Sequence, residues 1–141
     1  METLFKAKNI EITYDPANKY LYCNWIGFQN KESIMAAGGT ILDLLKKKGV
    51  TKVLNDNTLV TGPWQEAAEW TSTVWFPDMI TAGLMHFAWV FSRNIFAELS
   101  AKKAMPANDI VKSFNELEEA RQWLINVKSD TVTSLTASRI K

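Results

Sequence analysis

Residues 50–58, VTKVLNDNT, decide the fold class of this 141-residue chain. The run from Val50 to Leu54 is short and apolar, which is typical of a strand buried inside a sheet. Four polar residues follow at the carboxyl end of that run: Asn55, Asp56, Asn57 and Thr58. Residues of these types form turns, so we expect the strand to end there. A buried strand with helical sequence on both sides predicts an α/β fold.

Two further strands and a helix precede this run. Ile10, Ile12 and Tyr14 alternate with polar residues, and residues 20–26 are rich in aromatic and β-branched types, so the two segments predict a hairpin. A helix follows, with Asn30 as its N-cap and with a glycine at position 49 as its left-handed C-cap. The glycines at positions 38 and 39 lie inside that helix, where they either permit the close approach of another backbone or mark a weak point.

The sequence after residue 58 alternates between helical and strand-like segments. The second helix begins at Pro63 and is interrupted by Pro77. Strands over 85–91 and 110–114 are separated by a short helix, and a last helix ends at residue 127. The predicted order is β-β-α-β-α-β-α-β-α, a mixed four- to five-stranded sheet with helices packed on it. We expect residues 1–127 to form one domain and residues 128–141 a polar tail.

Composition argues against several classes of protein. Lys and Arg total 16 and Asp and Glu total 15, which leaves a formal charge of +1. Such a chain lacks the positive field that supplies most nucleic-acid affinity. The single cysteine, Cys23, excludes an internal disulfide and a cysteine-based zinc site. There is no signal-peptide pattern and no apolar stretch long enough to span a bilayer, so we expect a cytoplasmic protein.

We find no residue pattern that indicates catalysis, a cofactor or a metal. His86 is the only histidine and has no ligand or orienting partner at a suitable spacing. Cys23 lies inside a predicted strand, where a buried apolar role is expected. The chain lacks the glycine-rich phosphate loops and the nucleophile motifs of common enzyme families. We therefore expect a protein that is not an enzyme.

Two groups of residues are candidates for a binding surface. Asp56, Asn57 and Thr58 follow a buried strand, at the end of the sheet where α/β proteins bind ligands, although turn chemistry also explains them. Trp64 and Trp70 belong to the second helix. At 100° per residue Trp64 and Trp75 share a face while Trp70 points away. Core packing explains most of these aromatic residues, and the face turned away from the core suits a partner or a small apolar ligand.

The chain resembles the STAS superfamily, and within it the stand-alone bacterial proteins that are similar to anti-sigma-factor antagonists. The resemblance covers roughly residues 9–127 and is carried by four segments: YCNWIG at 22–27, VLND at 53–56, WFP at 75–77 before GL at 83–84, and FNELEEARQWL at 114–124. It implies a STAS-like fold. In the antagonists a Ser or Thr after the third strand's aspartate is phosphorylated. Asp56 matches that aspartate, Asn57 follows it, and Thr58 is the phosphorylation candidate.

Two functional hypotheses follow. The first is a non-enzymatic protein-interaction or regulatory domain that forms a homodimer, with the tryptophan-rich second helix and the 56–58 loop as its surfaces. The alternative is a binding protein for a small apolar or anionic ligand, with its pocket between the second helix and the sheet. That alternative requires an apolar cavity near Trp64, Trp75 or Met79.

Overall fold

The computed structural model describes residues 1–106 and 108–127, which form one six-stranded sheet with helices on both faces. The strands are β1 (Glu2–Lys6), β2 (Ile10–Asp15), β3 (Tyr20–Phe28), β4 (Lys52–Thr61), β5 (His86–Val90) and β6 (Val111–Phe114). They lie side by side in chain order. β1, β2 and β3 pair antiparallel, whereas β3 to β6 pair parallel. The predicted mixed α/β class is confirmed, and the predicted tail over 128–141 lies outside the described residues.

The sheet has one strand more than the upper limit of the prediction. From β2 onward the elements follow the predicted order, and β1 is added before them at the sheet's edge. Of its five residues only Leu4 is even half-buried. An edge strand with so little burial has no apolar alternation, so its sequence gives no period-two signal.

Within the described residues, five helices connect or follow the strands: α1 (Lys31–Lys48), α2 (Ala68–Trp70), α3 (Phe76–Thr81), α4 (Ile95–Ala104) and α5 (Leu117–Asn126). A 3₁₀ turn at Gln65–Ala67 and a π-helix at Thr71–Trp75 join α2 and α3 into one continuous segment, residues 65–81, which we call the central helical segment. The predicted caps of α1 are confirmed. Asn30 accepts a hydrogen bond from the Ser33 backbone N–H, and Gly49 adopts a left-handed conformation with φ 63°.

The two faces of the sheet are covered by different helices. Apolar side chains of α1, the central helical segment and α4 pack together over one face, around Phe76 and Phe87, and Cys23 is buried there. On the other face α5 packs over β4, β5 and β6, through Ala120 and Leu124. Among the described residues, no helix is both long and apolar enough to cross a membrane.

The strand β4 is longer than predicted. It continues past Leu54 to Thr61, and Asn55, Asp56 and Asn57 are buried strand residues. The expected turn is absent because the neighbouring strand β3 runs on to Phe28 and pairs with β4 along this stretch. Side chains of β3 also supply hydrogen-bond partners for the buried polar groups, which local sequence preference does not reveal.

Candidate functional site

A cavity lies between the central helical segment, α1 and the sheet, toward the carboxyl ends of β3, β4 and β5. Five of the six tryptophans of the chain line it. The cavity volume is about 40 Å³, which is room for about three water molecules. Its lining consists of Trp25, Gln29, Ile34, Gly38, Asn55, Asn57, Val60, Trp64, Trp70, Thr71, Trp75, Phe87 and Trp89.

The aromatic walls of the cavity are held by ring–ring contacts. The Trp64 and Trp89 rings stack with centroids 6.2 Å apart and an interplanar angle of 23°. Phe87 meets Trp75 and Trp89 edge to face, at centroid distances of 5.8 and 5.6 Å. Such pairs contribute about 0.5–1.5 kcal/mol each beyond the area they bury. These contacts fix the rings of Trp64, Trp75, Phe87 and Trp89 relative to one another.

Gly38 and the π-helix bring two more tryptophans to the cavity. A Cβ atom at Gly38 would stand 3.0 Å from Trp75 Nε1 and 3.1 Å from Trp70 Cη2, so the glycine admits both rings against α1. It is thus two side chains, rather than another backbone, that approach closely here. The matching position Gly39 has no neighbouring heavy atom within 4 Å.

The prediction that Trp70 points away from Trp64 and Trp75 is wrong. Trp70 is half-buried and lines the same cavity. The Phe76 backbone N–H donates to the carbonyl of Thr71, five residues earlier, which is the hydrogen bond of a π-helix. The wider turn changes the angle per residue, so a helical projection at 100° misplaces Trp70 relative to Trp75.

Hydrogen bonds fix several of the lining side chains. Trp25 Nε1 donates to Asn55 Oδ1 at 2.8 Å, and Asn55 Nδ2 donates to Asn57 Oδ1 at 3.3 Å. Trp75 Nε1 donates to the Gly38 carbonyl at 2.7 Å. Asn55 and Asn57 therefore face the cavity as buried, ordered amides on β4.

Among the described residues, Trp89 Nε1 is a fully buried polar atom of the wall that lacks a partner. Gln29, by contrast, is fully engaged: its Oε1 accepts from Asn9 and Ser33, and its Nε2 donates to two backbone carbonyls. All side chains that line the cavity are uncharged.

The three residues of the predicted 56–58 group do not lie at one site. Asn57 faces the cavity, whereas Asp56 lies on the opposite face of the sheet and accepts a hydrogen bond of 2.6 Å from the Tyr22 hydroxyl. Its other oxygen accepts from the Thr58 backbone N–H at 2.9 Å. Burial and this neighbouring carboxylate raise the pKa of Tyr22 above its usual value of 10.0. A phosphate on the half-buried Thr58 would meet the like charge of Asp56.

His86 and Cys23 lie apart from the cavity lining. His86 is half-buried beside Trp123, at a ring distance of 5.8 Å, and its pKa is lowered by burial and by the nearby Lys52. Burial raises the pKa of the Cys23 thiol, which leaves it protonated at neutral pH. Within residues 1–106 and 108–127 there is no cluster of three or more His, Cys, Asp or Glu side chains that could hold a metal ion.

Sequence reasoning placed Trp64 and Trp75 at a cavity and Asn57 and Trp70 on a binding surface, and all four line this cavity. It did not assign Trp25 to the site. The signal for Trp25 was the period of two on β3, which places it on the same face as Asn55 of the neighbouring strand once the register is known. Met79 lies in the core and not in the cavity lining. Comparison of the chain with protein-family models, with curated proteins and with solved structures finds no match.

Proposed function

We propose that the protein is a non-enzymatic binding domain that holds a small ligand in the tryptophan-lined cavity. The observation that carries this proposal is the concentration of Trp25, Trp64, Trp70, Trp75 and Trp89 around one partly open space, together with two buried amides. Small-molecule sites are typically concave and mostly aromatic or aliphatic, with a few fixed polar groups. The cavity also lies toward the carboxyl ends of parallel strands, where α/β proteins bind ligands.

Core packing alone is a poor explanation of this space. Protein interiors leave few voids larger than one water molecule, and unfilled space lowers stability. Buried amides such as Asn55 and Asn57 also cost free energy relative to apolar residues of similar size. A ligand that fills the space and forms hydrogen bonds with the remaining polar groups explains both the unfilled space and the buried amides.

Membership of the STAS superfamily is part of the same proposal. The order of elements from β2 to α5 and the sequential, largely parallel sheet support it. Superfamily membership would set the architecture but not the ligand, because related folds carry unrelated sites. The role of the cavity is therefore argued from its own residues.

The test uses a Trp123→Phe variant, in which every remaining tryptophan lines the cavity and reports on it by fluorescence. We expect single-ring fragments to change that fluorescence in a saturable way. In this background Gly38→Ala should weaken binding about tenfold, which corresponds to about 1.4 kcal/mol, because the added methyl displaces Trp70 and Trp75.

Gly39→Ala is the matched control, since its methyl group meets no heavy atom within 4 Å. It should bind the fragments as the parent does. The proposal fails if no fragment gives a saturable change. It fails equally if Gly38→Ala and Gly39→Ala bind alike.

A second candidate function is an interaction domain that forms a homodimer. Its supporting observation is an apolar surface on α4, where Ile95, Phe96 and Leu99 are 64, 59 and 50% exposed. Phe96 shares a groove with the exposed Phe28 beside Pro63 and Trp64. Exposed apolar clusters of this kind commonly contact other proteins. This surface differs from the one around Trp70 that the sequence indicated.

Light scattering over a concentration series tests the second candidate. A dimer that dissociates in Phe96→Asp, and persists in the control Val74→Asp on the central helical segment, would support it. Val74 is also exposed, at 43%, but lies away from α4 in the sequence. A monomer at all concentrations would remove the homodimer from consideration.

A further inference from the structure

The hydrogen-bonding groups in the cavity wall are unevenly used. The amide oxygens of Asn55 and Asn57 already accept hydrogen bonds, from Trp25 Nε1 and from Asn55 Nδ2. Trp89 Nε1 is a buried donor without an acceptor among the described residues. Asn57 Nδ2 likewise donates to none of the described residues, because its only hydrogen bond there is made through Oδ1. The wall thus contains two hydrogen-bond donors, Trp89 Nε1 and Asn57 Nδ2, that no acceptor among the described residues uses.

From this imbalance we infer that the ligand is a small, planar, uncharged heteroaromatic or carbonyl compound whose acceptor atom faces Asn57 and Trp89. This inference rests on the proposed function and names its ligand class. An indole N–H is a donor only, so its partner must be a lone pair on nitrogen or oxygen. A buried donor left without a partner lowers stability, and a ligand acceptor would remove that penalty.

The walls and the size of the cavity define the rest of the ligand. Flat rings pack well against the stacked pair of Trp64 and Trp89, because aromatic rings favour offset and edge-to-face contacts. The space of about 40 Å³ is smaller than the roughly 150 Å³ of a cavity that holds benzene. A single ring therefore needs the half-buried Trp70 to move, and a fused system needs a larger rearrangement.

The electrostatics of the wall disfavour ionic ligands. Within the described part of the chain no charged side chain lines the cavity, so neither an anion nor a cation meets a counter-charge there. Tryptophan faces attract quaternary ammonium groups. The free N–H groups of Trp89 and Asn57, however, carry partial positive charge on their hydrogens, which disfavours a cation. A neutral acceptor fits both the aromatic walls and these donors.

The experiment compares pyridine with benzene, two rings of nearly equal size that differ in one acceptor nitrogen. Calorimetric titration at mildly alkaline pH keeps pyridine neutral. We expect pyridine to bind the wild-type protein about tenfold more tightly than benzene, the equivalent of one buried hydrogen bond. Tetramethylammonium serves as the cationic probe and should bind more weakly than either ring.

Two variants locate the acceptor. Trp89→Phe removes the free indole donor and keeps an aromatic ring, and Asn57→Leu removes the free amide at similar volume. We expect the tenfold preference for pyridine over benzene to fall to about onefold in at least one variant. The quantity compared is the ratio of the two affinities within each variant, because either substitution also changes how the wall contacts a ring. Trp123→Phe, outside the cavity lining, should leave the preference unchanged.

The outcomes separate this inference from the proposed function. Three results would overturn the inferred ligand class but not the proposal that the cavity binds a ligand. They are equal affinity for pyridine and benzene, tightest binding of tetramethylammonium, and a preference for pyridine that persists in both variants. Failure of all three probes to bind the wild-type protein overturns the proposed function and the inference together.

Discussion

Two tryptophans of the cavity wall, Trp25 on β3 and Trp89 on β5, differ in one hydrogen bond. Trp25 Nε1 donates to Asn55 Oδ1 at 2.8 Å, whereas Trp89 Nε1 has no partner within the described part of the chain. Both side chains are buried, at 7 and 3% exposure. The same substitution, Trp to Phe, therefore removes a used donor at one position and an unused donor at the other.

This difference predicts unequal losses of stability. Trp25→Phe should lower the free energy of unfolding by about 1–3 kcal/mol more than Trp89→Phe, because it leaves the Asn55 oxygen buried without a donor. Urea unfolding of the two variants and the wild type measures the difference. Equal losses in the two variants would contradict the assignment of these hydrogen bonds.

The hydrogen bond between Tyr22 and Asp56 predicts a loss of stability in alkali. Burial and the Asp56 carboxylate raise the pKa of Tyr22 in the folded protein above 10.0. The stabilisation is therefore complete below about pH 10 and is lost as the pH rises further, since the unfolded tyrosine ionises first.

Tyr22→Phe tests this point. It should lower the free energy of unfolding at neutral pH by about 1.5–3 kcal/mol, the usual range for a hydrogen bond to a charged group. Its stability should also decline less steeply than that of the wild type above pH 10. Parallel pH profiles for wild type and variant would show that Tyr22 does not carry the effect.

At the scale of elements, the N-cap of α1 connects helix formation to the cavity. Asn30 Oδ1 accepts from the Ser33 backbone N–H at 2.8 Å, and Ser33 Oγ donates to Gln29 Oε1, in the cavity wall, at 3.0 Å. Asn94 caps α4 in a similar way, by accepting from the N–H groups of Phe96 and Ala97. Asn94 does not line the cavity.

We expect Asn30→Ala and Asn94→Ala each to lower the free energy of unfolding by about 1 kcal/mol. Only Asn30→Ala should also weaken fragment binding, because it frees Ser33 and thereby loosens Gln29. Denaturation and fluorescence titration of the same samples measure both effects. Equal fragment binding by the two variants would show that the cap of α1 does not affect the cavity.

The elements also show where sequence patterns reach their limit. The buried run at residues 50–54 and the caps of α1 were predictable, because burial and capping leave local signals. The continuation of β4 through Asn55 and Asp56 depends on Trp25 and Tyr22, which lie about thirty residues earlier in the chain. Likewise, nothing in the local sequence at Thr71–Trp75 distinguishes a π-helix from an α-helix.

At the scale of the whole molecule, the sheet divides the polar residues of β4 between two environments. Asn55 and Asn57 face the cavity under α1 and the central helical segment, and Asp56 faces the side on which α5 packs. A period of two made this separation predictable once the strand was known to continue. The gathering of five tryptophans from β3, β5, the central helical segment and position 64 just before that segment needed the full topology, which sequence spacing does not supply.

The central claim, that the cavity binds a ligand, is tested most directly by the indole N–H signals of ¹⁵N-labelled protein during titration with pyridine. The protein has six tryptophans, of which Trp123 lies outside the cavity lining. We predict saturable shifts of indole signals from the five lining tryptophans, with the signal of Trp123 unchanged. Absence of any saturable shift, or a shift of Trp123 as large as the others, would contradict the claim.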